Sequence, residues 1–119
     1  ITSYPMIAAL GDIDVVLASA AAGIQLVTEE QLKNAVNLKV AADVNAVPPS
    51  GIAGLDAMQD AKELEGSTSG ALGIGALAIG NVKYQAQNKL LKKMANSEKP
   101  VFLDFHDALE LAREYVSSK

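Results

Sequence analysis

The chain has no cysteine and no tryptophan, and only one histidine, three tyrosines and two phenylalanines among its 119 residues. Without thiols there is no disulfide, no thiolate nucleophile and no thiolate metal site, and nothing argues for an oxidising compartment, so the cytoplasm is the expected location. Positive charge is also scarce: ten Lys and Arg stand against fourteen Asp and Glu, for a net charge of -4. The cations are scattered apart from "KLLKKM" at Lys89 to Met94. A phosphate backbone needs a clustered basic face, so no nucleic-acid partner is expected, and the lysine run reads as the solvated side of a helix.

Long hydrophobic runs are missing too. Only "GSTSGALGIGALAIGNV" approaches the ~18 uncharged residues of a membrane span, and its glycines and small side chains fit a turn and a packed helix better. No membrane partner is expected. The start carries no basic n-region of a signal peptide. It opens on Ile1, in "ITSYPMIAALGD", and reads as the middle of a longer protein. Pro5 suits a first helical turn there, with Ser3 or Tyr4 at the cap and Gly11 at the end.

Half of the residues are hydrophobic, and a single domain of this length buries roughly two thirds of its unfolded surface. "IDVVLAS" (Ile13 to Ser19) is an apolar, β-branched run of strand length, expected to be buried on both faces. After the small-residue loop "AAAGIQL", "VTEEQLKNAV" places Gln31 three residues after Thr28, the spacing of a capping box at a helix start. "NLKVAADV" (Asn37 to Val44) is a second strand. "NAVPPSGIAGLDAMQD" reads as a long loop, and "AKELEGSTSG" as a polar lead into "ALGIG", a third strand. From Ala76 to Asn96 a helix is expected, with Leu77, Val82, Leu90, Leu91 and Met94 apolar and its cations late, where a helix C-terminus favours them. "FLDFHDALELAREYV" gives a last amphipathic helix, with Leu103, Ala108, Leu109, Leu111, Ala112 and Tyr115 on one face and Asp104 or His106 as its cap.

Apolar strands alternating with helices predict an α/β fold with a parallel sheet, and ligands of such sheets bind beyond the carboxyl ends of the strands. The segment Asp43 to Ser50 lies at such an end. Its polar groups need not be buried unpaired there, and Pro48 and Pro49 restrict the loop, with a cis bond before either one possible. The plainer reading is that Asn45 and the prolines simply make a turn. Asp43, two residues before Asn45, is expected to fix this loop by accepting backbone N–H groups.

"DVNAVPPSGIAGLDAMQD" followed by "GALGIGALAIGNVKYQ" resembles the C-terminal half of the NAD(P)-dependent methylenetetrahydromethanopterin dehydrogenases. The resemblance runs from about "GDIDVVLASAAAG" to the closing helix. Folate-dependent methylene dehydrogenases share the general plan and match these motifs less well. The resemblance implies a two-domain enzyme with a pterin-side domain and a Rossmann-type nucleotide domain, direct hydride transfer to NAD or NADP, no metal, and a homo-oligomer. This chain is then a partial Rossmann-type parallel sheet with flanking helices, a fragment of that enzyme and inactive alone. Residues 1–98 form the second half of the nucleotide domain and residues 99–119 a C-terminal helix packed on it. The first half, with its glycine-rich pyrophosphate turn, is expected upstream of Ile1. A free-standing α/β module that binds a ligand without catalysis is the alternative.

"GIGALA", Gly73 to Ala78, fits the spacing G-x-G-x-x-A. However, its strand is short and no second strand with a terminal acid follows at the required distance, Glu98 falling in the loop "NSEKP". The resemblance places this stretch beside the nicotinamide, while helix-to-sheet packing would need the same glycines. The resemblance implies cofactor contacts from three strand ends. Ser19, Ala20, Ala21 and Ala22 would admit the adenosine, Asn45, Ala46 and Val47 would meet the nicotinamide riboside, and Leu72 and Gly73 would border the ring. It puts Lys83 in the pterin site as the catalytic residue, with Gln87 one turn on and Pro48 as further substrate contacts. Lone lysines are mostly exposed, so by itself Lys83 reads as solvated. A cation beside a developing cation is repulsive, which makes a lone-pair or carbonyl contact from Lys83 the more reasonable role. Hydride loss from a methylene bridge needs no general base, so His106 is left to helix capping.

Overall fold

A computed structural model describes residues 10–119, which fall into two compact units, one ending at Ala78 and the other spanning Ile79–Lys119. The helix expected around Pro5 lies outside the described residues. The first unit is built on a four-stranded sheet of β1 (Val15–Ala18), β2 (Val40–Asp43), β3 (Asp60–Glu63) and β4 (Leu72–Ile74), in the order β1-β2-β4-β3. β1 and β4 both run parallel to β2, with Ala18 beside Asp43 and Ile74 beside Ala42. The carboxyl ends of all three parallel strands therefore lie along one edge of the sheet.

The sheet is mixed rather than parallel throughout. β3 pairs antiparallel with β4, in a segment whose sequence reads as loop. All four of its residues, "DAKE", are exposed, so no apolar alternation marks it. Main-chain bonds hold it instead, continued by Gly75 N to Gln59 O at 2.8 Å and Leu64 N to Ala71 O at 2.7 Å. The register shifts between Asp60 and Lys62, where Ala61 takes a positive φ of 53°. Such a bulge twists an edge strand away from neighbours.

Helix α1 (Glu29–Asn34) crosses between β1 and β2, and Thr28 starts it. The Thr28 hydroxyl accepts from Gln31 N at 3.3 Å while the Gln31 side chain accepts from Thr28 N at 2.8 Å, completing the expected capping box. Leu32 is thereby turned into a core it shares with Val27, Leu38, Ala41, Ile52, Leu64 and Ala71. Val16 and Ala18 of β1 face the same core, but Val15 is 53% and Leu17 73% exposed. The expectation that β1 is buried on both faces fails because it is an edge strand, and among the described residues no element covers its second face. β2 is central, and its Ala41, Ala42 and Asp43 are buried.

Helix α2 (Ala76–Ala95) opens at the end of the first unit, and with α3 (Phe105–Ser117) it supplies the second. Within that unit Asn81 near the start of α2 donates to the Tyr115 hydroxyl at 2.9 Å, and Lys93 near its end meets Asp107 at 2.8 Å, so the helices run antiparallel. Asp104 caps α3 by accepting from His106 N, which resolves the choice between those two residues. α3 has the expected amphipathic pattern but buries none of its residues, and Leu91 and Met94 of α2 are likewise exposed. No helix among the described residues is long and apolar enough to cross a membrane.

Candidate functional site

The last residue of β2 is Asp43, only 2% exposed. The strand ends there because the carboxylate turns back onto the chain that follows: Oδ1 accepts from Asn45 N at 2.8 Å and Oδ2 from Gly51 N at 2.6 Å. Charge-assisted bonds of this kind compensate a buried carboxylate that would otherwise be very costly. The loop-fixing role expected of Asp43 is what the geometry shows. Asn45 then braces the interior of the loop, its Oδ1 accepting from Val47 N at 3.0 Å and its Nδ2 donating to Val47 O at 3.1 Å. The Pro48–Pro49 peptide is cis.

This loop walls a cavity of about 280 Å³ lined by Asp43, Asn45, Ala46, Val47, Pro48 and Ser50 on one side. Leu55, Asp56, Ala57, Gly75 and Ala76 complete it. It sits at the carboxyl edge of the sheet, where parallel α/β sheets bind their ligands. Gly75 brings the β4 end there, its N–H bonded to Gln59 O, while Leu77 N donates to Ala57 O at 2.8 Å. No side chain fits at Gly75, since a Cβ would overlap the carbonyls of Asp56 and Ala57. At Gly73 a Cβ would come within 2.6 Å of Leu55 and 2.7 Å of Gln59. Gly75 is thus required by the packing of this chain on itself, whereas at Gly73 the side-chain ends of Leu55 and Gln59 would have to give way.

Of the residues singled out from the sequence, Asn45, Ala46, Val47 and Pro48 come together at this cavity. Ser19, Ala20, Ala21 and Ala22 are exposed and leave β1 beside the start of the same loop, where Val44 N donates to Ala18 O at 3.1 Å. Leu72 and Gly73 lie within β4, paired with Val40 and Ala41, one strand step back from the lining residue Gly75. Lys83 and Gln87 belong to the second unit. They line a groove of about 710 Å³ between α2 and α3 with Leu90, Leu103, Phe105 and Ala108. By sequence the stretch 55–57 is plain loop. Its one signal is "LDAMQD", in which the Asp56 carboxylate accepts from Met58 N at 2.7 Å and so shapes a turn that the residue type favours.

No protein-family model matches the chain. Among curated proteins it is 50% identical over 107 residues to a NAD(P)-dependent methylenetetrahydromethanopterin dehydrogenase of Methylorubrum extorquens, a match covering 90% of this chain and 35% of that protein. It is also 33% identical over 99 residues to the bifunctional protein MdtA of the same organism, covering 83% of this chain and 33% of that one. The chain thus spans about a third of the length of these relatives, less than the half that the motifs suggested. The resemblance carried by "NAVPPSGI" and "GALGIG" holds along nearly the whole chain, which is a segment similar to a NAD(P)-dependent methylenetetrahydromethanopterin dehydrogenase.

Proposed function

We propose that the full-length protein oxidises methylenetetrahydromethanopterin to its methenyl form with NAD or NADP as acceptor, and that this chain is the later part of a Rossmann-type nucleotide domain, inactive alone. The observation that carries the reading is a coincidence of sequence and place. The stretch that is 50% identical to the dehydrogenase contains the Asn45 to Pro48 loop, and that loop walls a cavity at the carboxyl edge of parallel strands. The cavity's polar rim and small floor of Ala46, Ala57, Gly75 and Ala76 suit a flat nicotinamide ring carrying a ribose.

A nicotinamide held beside Asn45, Ala46 and Val47 would supply the acceptor for the hydride of the methylene C–H bond, the pterin being left as the methenyl cation. No side chain has to take a proton, so the work of this chain is to orient and to exclude water. Asn45, Ala46 and Val47 hold the nicotinamide riboside, Leu72 and Gly73 border the ring from β4, and Ser19 to Ala22 lie on the adenosine side. Lys83, Gln87 and Pro48 meet the pterin, Lys83 through a carbonyl or lone pair of the substrate. Residues 1–98 belong to the nucleotide domain and residues 99–119 form its C-terminal helix, and the enzyme is a homo-oligomer in the cytoplasm.

The test is the absorbance of reduced nicotinamide produced by the full-length protein with methylenetetrahydromethanopterin, against methylenetetrahydrofolate. Turnover of the first with NAD or NADP supports the assignment. Turnover of the folate alone transfers it to the folate enzymes, and a protein that binds neither nucleotide is a ligand-binding module.

A further inference from the structure

We propose that Asp43 and Gly51 form a positioning pair that sets the shape of the nicotinamide side of the cavity, so that cofactor affinity depends on a carboxylate whose two oxygens are both bound to the main chain. The inference rests on the nucleotide reading above and assigns a role to two residues that the resemblance did not place against the cofactor.

Both carboxylate oxygens of Asp43 are committed to the main chain, one to Asn45 N at 2.8 Å and one to Gly51 N at 2.6 Å. These donors stand on either side of the segment 46–50, so a single buried group closes the loop from both ends. The constraint travels inward from Asn45 to Val47 by the paired side-chain bonds at 3.0 and 3.1 Å. It travels outward from Gly51, whose carbonyl accepts from Leu26 N at 2.8 Å and Val27 N at 2.9 Å. The rim residues Asn45, Val47 and Pro48 are thereby tied to the buried core beneath.

Gly51 is needed for the same reason. A Cβ there would lie 3.0 Å from Asp43 Oδ2 and 3.2 Å from its carboxyl carbon, tighter than a packed side chain tolerates, so the carboxylate would have to move away from one donor. Asp43→Asn keeps the volume but presents an N–H to a main-chain N–H on one side. Asp43→Asn and Gly51→Ala should therefore damage the same contact, and their effects should not add.

The experiment is steady-state kinetics of the full-length protein with NAD, NADP and methylenetetrahydromethanopterin. Asp43→Asn should raise the nucleotide KM about tenfold, the value of a lost charge-assisted hydrogen bond. The pterin KM should stay within about twofold. Gly51→Ala should do the same, and the double variant should be no worse than the stronger single one. Amide hydrogen exchange should speed up at Asn45 and Gly51 and stay unchanged at Leu32. If Asp43→Asn does not fold, Gly51→Ala, which keeps the carboxylate group and only displaces it, carries the same expectation. An unchanged nucleotide KM overturns the proposal, as does an equal rise in both KM values with additive effects. Absence of nucleotide saturation in the unsubstituted protein overturns the nucleotide reading itself, and this proposal with it.

Discussion

Asp107 serves two partners at once: its Oδ1 receives Lys93 Nζ from α2 at 2.8 Å, and its Oδ2 receives the backbone N–H of Asp104 at 3.1 Å. One carboxylate thus joins the two helices and closes the capping box of α3.

The hydrogen bond from Lys93, then the Asp104 amide, hold the Asp107 carboxyl below its ordinary value, and the same hydrogen bond raises Lys93 above its own. For a depressed carboxyl, the stabilising effect is complete above its unfolded value near pH 4 and is lost as the pH falls through the lower folded value. For Lys93 the effect is complete below its ordinary value of 10.5 and is lost as the pH rises through the folded one. Carbon-detected titration of Asp107 should show a midpoint below that of an ordinary aspartate, and Lys93→Ala should move it upward. Because Lys93 is exposed and Asp107 only partly covered, added salt should narrow the difference.

Gly75 and Gly80 predict opposite results for one substitution. Gly75→Ala drives a methyl into the carbonyls of Asp56 and Ala57 and should destabilise by about 1–3 kcal/mol or more. Gly80 lies inside α2, and an alanine methyl there would meet nothing within 4 Å, so Gly80→Ala should stabilise by about 0.5–1 kcal/mol through helix propensity. Chemical denaturation of the two variants measures both.

Thr28→Ala removes the hydroxyl that accepts from Gln31 N and should cost about 1 kcal/mol. Leu32, 1% exposed, depends on the position of that helix, so Leu32→Ala should cost more, about 2–5 kcal/mol. A denaturation midpoint that moves further for the cap than for the core would reverse this order.

Lys83→Ala in the full-length protein should lower turnover of the pterin by about tenfold while nucleotide affinity holds. Lys83 is exposed and lines a groove with Gln87. Unchanged turnover would remove it from the substrate site.

What the sequence made legible followed physical signals with short range. The Thr28 to Gln31 spacing, the apolar runs of β1, β2 and β4, and the late cations of α2 each act within a turn or a strand, and each stands in place. β3 is hidden because its four exposed residues carry no period and its pairing comes from main-chain bonds to a strand that follows it. Part of the cavity rim is legible, in Asn45 to Pro48 and in the Gly73 to Ala78 stretch that supplies Gly75 and Ala76. Asp56 and Ala57 are not, because they reach the cavity through the approach of one backbone to another, which leaves no pattern in residue type.

The two borders of the sheet are unlike. On one side stands "DAKE", charged, kinked at Ala61 and unwelcoming to a neighbouring chain. On the other stands "VVLA", short and straight, with Val15 and Leu17 bare on its outer face. The border at Asp60–Glu63 is thus interrupted by a register shift, while the pairing of Val15–Ala18 with its neighbour is regular throughout.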